Sequence, residues 1–343
     1  MRISQRATML IGAAAIAGLA PLAATTAAAA PSAHSTVNAA ASCRVTATIP
    51  VGGLPGAIAP DAKTNTVYTG NVADETVSVI NGQTNTVVAT IPVDFKPGGI
   101  RANPATNTIY VTNTLGNSVA VINGRTNTVK ATIHVGPAPG AIATNPATNT
   151  IYVEGRLPTS GNGIFVINGQ TNKVVATVPV GRRPSGVAVN RPTNTIYVAN
   201  TSSNTVTVIN GRTNTAVATI RVGFEPQGVA VNPATNTIYI TNTGHSTVSV
   251  INGQTNKVVA TIRADLLAPA GVAADRTTNT VYVANVDSNT VTVINGRTNK
   301  VAATVGVGQA PGGVAVNSTT NTVYVPVGLS SADSTVSVLT CRS

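Results

Sequence analysis

The chain of 343 residues carries 21 basic against 10 acidic side chains, a formal charge of +11, with two Cys, three His and no Trp. So few histidines and cysteines argue against a zinc centre, and the missing Trp argues against WD repeats. Val, Ile and Thr dominate and Gly and Pro punctuate them, which points to an all-β molecule.

The N-terminus places Arg2 and Arg6 before an apolar run from Ala7 to Ala20 and a small-residue tract from Ala23 to Ala30. That order of positive, apolar and small residues predicts a secretory signal peptide over residues 1–30, cleaved near Ala29 or Ala33. The run is too short for a membrane span, and the lack of adjacent arginines favours the general secretion route. Residues 31–42 follow as a polar, Ala-rich leader expected to be disordered. No second apolar run of spanning length occurs. The expectation is a monomer released in soluble form to the cell exterior.

Residues 43–343 are governed by a repeat. All seven tyrosines, Tyr68, Tyr110, Tyr152, Tyr197, Tyr239, Tyr282 and Tyr324, sit in one recurring phrase, at steps of 42, 42, 45, 42, 43 and 42 residues. A single unit predicts four short strands: Gly99 to Asn103, Thr108 to Thr112, Ser118 to Ile122 and Thr128 to His134. The first and third turns share the pattern Asn-(Pro/Gly)-x-Thr-Asn. Pro suits the second position of a type I turn, and the trailing Asn tolerates the left-handed conformation that returns the chain. Between units runs a looser segment ending in Pro-x-Gly, as in Arg183-Pro184-Ser185-Gly186.

Four antiparallel strands repeated seven times predict a seven-bladed β-propeller, with an open solenoid as the competing arrangement. The termini favour the ring. The last unit has three strands, Gly313 to Asn317, Thr322 to Pro326 and Thr335 to Leu339, and the missing fourth is found at Arg44 to Val51. Alignment of the copies puts Cys341 at the position of Gly82 and Cys43 at that of Asn85, three residues apart across a tight turn in every other blade. A disulfide between Cys43 and Cys341 would replace the covalent turn that closure lacks.

The phrase Tyr110-Val111-Thr112-Asn113, its companion Val121-Ile122-Asn123-Gly124 and the Thr-Asn-x-Val that follows resemble the YVTN family of β-propeller repeats. The likeness spans about residues 43 to 341. Similar chains include archaeal surface-layer proteins and periplasmic YncE-type propellers, so the resemblance implies an exported seven-bladed ring and no particular activity.

Comparison of the copies within the chain separates two faces. The face carrying both tight hairpins repeats almost unchanged; the opposite, variable face differs blade by blade and carries three extra residues in blades three and seven, at Gly155 to Gly163 and Val327 to Asp333. Variable loops on a rigid scaffold are where binding usually resides. Candidate ligand-binding residues on that face are Phe95, Lys96, Arg101, Glu154, Arg156, Arg182, Arg183, Phe224, Glu225 and Asp265. Phe95 and Phe224 hold equivalent blade-linking positions that would rim a pocket, and Arg101 replaces the Ala of the innermost strand. Carboxylates there are expected to pair with Arg156, Arg182 or Arg183.

Charge divides more sharply. The hairpin face holds eleven basic residues against Asp61 and Asp275, while the variable face is close to neutral. A ring including Arg125, Arg191, Arg212, Arg276 and Arg297 would attract anionic polymers such as cell-wall polymers, nucleic acid or acidic glycans; simple solubility and protection of strand edges is the plainer reading. The favoured function is a non-enzymatic binding or interaction scaffold with no cofactor, its partner being an anionic polymer or a protein. The alternative is a metal-assisted lactonase or hydrolase using Glu154, Glu225, Asp265 and Asp287 on the variable face. His34 lies in the leader and His134 and His245 on separate blades, and no catalytic elbow or phosphate loop is present.

Overall fold

A computed structural model describes residues 42–157, 161–263 and 266–342; the predicted signal peptide and all of the leader but Ser42 lie outside them. Seven four-stranded antiparallel sheets follow one another along the chain. Blades 1 to 6 comprise residues 55–92, 97–134, 142–179, 184–221, 226–262 and 269–306, each with its strands in sequence order. Blade 7 takes three strands from residues 315–342, and its outer strand is Ser42–Pro50, paired with Thr335–Arg342. The chain is therefore a seven-bladed β-propeller closed by its N-terminal strand.

Cys43 and Cys341 are direct partners in that closing ladder and form a disulfide, their Cα atoms 4.1 Å apart. Arg44 pairs with Thr340 as Thr86 pairs with Asn81 in blade 1, so the bridge takes the place of the missing hairpin turn.

The recurring phrase can now be read residue by residue. Each tyrosine is fully buried and packs where two blades meet: Tyr110 clusters with Ile142, Ile151 and Val153 of the next blade. Second and third strands are buried on both faces, and the hydroxyl residues that alternate with Val in the third strand, such as Thr76 and Ser78, serve as partners inside the blade. The Asn that ends the phrase bonds inside its own blade. Asn71 Nδ2 donates to the hydroxyls of Thr76 and Ser78, both at 2.9 Å, and Asn200, Asn242 and Asn285 repeat the arrangement. The Asn that closes each tight hairpin has positive φ, for example 51° at Asn65 and 55° at Asn85, as the turn reading requires.

A second asparagine series joins blade to blade. The Asn ending the innermost strand donates to the hairpin Asn of the next blade: Asn103 to Asn149, Asn145 to Asn194, Asn190 to Asn236, Asn232 to Asn279 and, across the closure, Asn317 to Asn65, at 2.6 to 2.9 Å. Blades 1 and 6 carry Asp61 and Asp275 at this position instead.

Two boundaries depart from the sequence expectation. The innermost strand of blade 7 is only Ala315–Asn317, although blade 2, with the same Pro-Gly-Gly start, keeps a strand over Pro97–Asn103. In blade 3 the extra residues lengthen the strands, to Leu157 on one side and from Gly161 on the other. No helix among the described residues is long and apolar enough to cross a membrane.

Candidate functional site

The innermost strands line two cavities at the centre of the ring. On the variable side lies a cavity of 490 Å³ walled by Gly56, Gly99, Gly140, Gly186, Gly228 and their neighbours, with Lys96 and Arg101 its cationic members. On the hairpin side lies a second cavity of 310 Å³ walled by Ala, Val, Ile and Pro, with Arg101, Arg191 and Arg276 as its charged members. Arg101 thus stands at the waist and borders both, rather than belonging to the variable face alone.

Each of these arginines breaks the repeat. The position of Arg101 is Ala in the other six blades, at residues 59, 143, 188, 230, 273 and 315. Arg191 and Arg276 follow the last residue of the innermost strand, where blades 2, 3 and 5 have Pro104, Pro146 and Pro233. Turns of the innermost hairpins necessarily ring the channel mouth, which is why a substitution there reaches the axis. The Arg101 guanidinium donates to the Ile100 carbonyl at 2.9 Å, and burial draws its pKa below the usual value. Arg191 is open to the mouth yet crowded by the wall; burial first, and then the charge of Arg276, lower its pKa. No carboxylate lines this cavity, and none of the three arginines forms an ion pair among the described residues.

Arg125, Arg212 and Arg297 lie elsewhere on the same face, exposed at the tips of the outer hairpins of blades 2, 4 and 6. Blades 1, 3 and 5 carry Gln83, Gln170 and Gln254 there, so cation and amide alternate through blades 1 to 6. The five arginines grouped by sequence are therefore two sets: three on the outer hairpins, and a pair on the innermost hairpins that lines a cavity with Arg101.

The variable face is more dispersed than expected. Phe95 and Phe224 are 60% and 46% exposed, and neither lines the central cavity. The Phe224 ring lies 5.8 Å from that of His245, whose Nδ1 accepts the Phe224 N–H. Arg156, Arg182 and Arg183 share a peripheral cavity of 490 Å³ with Leu157 and Ser202. The expected pairing of carboxylates with these arginines is absent among the described residues: Glu154 accepts the Ala141 N–H at 3.2 Å, Asp74 that of Gly53 at 2.8 Å, and Asp333 that of Ser330 at 2.8 Å. Glu225 is exposed, with φ 53° and its N–H bonded to Asn204. Asp265 lies outside the described residues. Among the described residues no three His, Cys, Asp or Glu side chains come together in a group that could hold a metal.

A family model for the NHL repeat matches residues 182–209, the first three strands of blade 4. No curated protein matches the chain. Among solved structures, a chain of Kuenenia stuttgartiensis hydrazine synthase is similar with a TM-score of 0.72 and 19% identity, over 83% of this chain and 94% of that one. At that identity the likeness concerns the fold. Repeat match and structural likeness together support a β-propeller family.

Proposed function

We propose that this chain is an exported, YVTN-type propeller of the YncE-like kind that serves as a non-enzymatic binding scaffold at the cell exterior, holding anionic polymers on its hairpin face. Export rests on the N-terminal signal pattern, and the disulfide fits an oxidising compartment. The observation that carries the binding reading is the unneutralised outer rim of Arg125, Arg212 and Arg297, exposed cations for which no ion pair is found among the described residues. Such groups attract a polyanion by releasing its condensed counterions, which makes affinity strongly salt-dependent.

The test is retention of the mature protein on a polyphosphate polymer between 50 and 200 mM salt. Affinity is expected to fall steeply with salt, and changing Arg125, Arg212 and Arg297 to Gln, the residue alternate blades use, should reduce the salt slope by about 2 to 3. Absent or salt-insensitive binding overturns the reading.

A further inference from the structure

Beyond the polymer-binding rim, we propose that the hairpin-side end of the central channel is a separate site for a compact, multivalent oxyanion, bound by Arg101, Arg191 and Arg276. Three observations converge on it. The arginines come from blades 2, 4 and 6, alternate positions around the ring, and all three border one cavity of 310 Å³. That volume is at the small end of ligand pockets and suits a molecule with a few charged groups, whereas a polymer would engage the open rim. The wall between the arginines is aliphatic, contributed by residues such as Ile58, Ala102, Val187 and Val229.

Like charges gathered against an apolar wall are unfavourable unless something neutralises them. Among the described residues no carboxylate does. Asp61 and Asp275, the two acidic residues of this face, are fully buried, do not line the cavity, and each gives one oxygen to a turn N–H, of Lys63 and of Thr277. The lowered pKa of Arg191 beside Arg276 agrees with guanidiniums close enough to repel one another. A guanidinium binds carboxylate or phosphate oxygens through paired N–H donors, so three of them suit a ligand presenting two or three such groups. Pyrophosphate and citrate represent the two sources of that chemistry.

The repeat itself supplies mild replacements. Arg101→Ala installs the residue of the six other blades, and Arg191→Ser with Arg276→Ser installs the residue of blade 7, Ser318. Titration calorimetry and thermal melting of the mature protein are run with pyrophosphate and with citrate at low ionic strength. The expected result is saturable one-to-one binding of at least one of the two, with a raised melting temperature. Affinity should weaken at least tenfold in Arg101→Ala and again in Arg191→Ser with Arg276→Ser, while both variants melt without ligand no earlier than the parent. Preference between the two anions identifies phosphate or carboxylate as the recognised group. The Arg125, Arg212 and Arg297 Gln variant should keep this binding intact, which separates failure of this site from failure of the polymer rim. No saturable binding of either anion, or affinity unchanged in the folded channel variants, overturns the proposal.

Discussion

Glu154 occupies the second residue after the buried tyrosine, where the other blades have Gly70, Thr112, Ala199, Thr241, Ala284 and Pro326. Thr112 and Thr241 accept the N–H of Gly99 and Gly228 through their hydroxyls, and Glu154 does the same for Ala141 with a carboxyl oxygen. The carboxyl lies against Gly140, whose absent side chain leaves the room it fills. Burial raises the pKa of Glu154 to about 7 despite that hydrogen bond. The folded state therefore holds this proton more tightly than the unfolded chain does. Its contribution to stability is fully present below the ordinary glutamate pKa and is lost as pH rises through about 7. Relative to Glu154→Gln, which keeps an acceptor for Ala141, the parent should lose roughly 1 to 3 kcal/mol of unfolding free energy between pH 5 and pH 8. Urea denaturation of both proteins at the two pH values measures this; parallel profiles would show that the carboxyl does not titrate differently in the fold.

Between blades, the asparagine relay has two defects. By repeat position Asp61 faces Asn107 and Asp275 faces Asn321. At both junctions the acceptor Oδ1 of the asparagine and the Oδ2 of the aspartate are buried without a hydrogen-bond partner. Elsewhere the donor of the preceding Asn satisfies the equivalent oxygen. Asp61→Asn and Asp275→Asn each replace a buried carboxylate with the missing donor, and each is expected to stabilise the protein by about 1 to 2 kcal/mol. The reciprocal change, Asn190→Asp, should cost a similar amount. Denaturant midpoints read both, and destabilisation by either Asp→Asn change would mean that the carboxylate has a partner the relay does not supply. The relay also shows which features the sequence made legible. Tyrosines, hairpin asparagines and strand lengths recur at a fixed period, so one blade read correctly gave all seven. The channel arginines do not recur: Arg101 sits mid-strand and Arg191 and Arg276 in turns, and only the radial geometry of the ring brings these two offsets together. Phe95 and Phe224 hold equivalent positions in their blade links, yet neither lines the central cavity, because equivalence in the repeat fixes a residue's place in its own blade and leaves open where its side chain turns.

At the scale of the whole ring, stability depends on a closure made by an outer strand that no hairpin turn ties to its neighbour. Ser42–Pro50 is an outer strand with alternating exposure, and Ile49 is its one fully buried residue. Inward support comes from the ladder to Thr335–Arg342, partial burial of Val45 and Ala47, and the bond from Val51 N–H to the Ser334 carbonyl at 3.2 Å. Every other outer strand is tethered by a hairpin of a few residues, whereas this one would be free to diffuse away once its ladder opened. The Cys43–Cys341 bridge removes that freedom across a sequence separation of 298 residues. In the chain-entropy description a loop of this size corresponds to about 5 to 6 kcal/mol. The variant with both cysteines changed to Ser should therefore unfold at markedly lower denaturant concentration than the oxidised parent, and the parent in reductant should follow the variant. Hydrogen exchange supplies the diagnostic detail: in the variant the amides of residues 44–50 and their partners in 335–340 should exchange ahead of the outer strands of blades 1 to 6, because opening the seam no longer requires global unfolding. If instead all outer strands lose protection together and the denaturation midpoint is unmoved, the seam is held by its ladder alone and the bridge contributes nothing to closure.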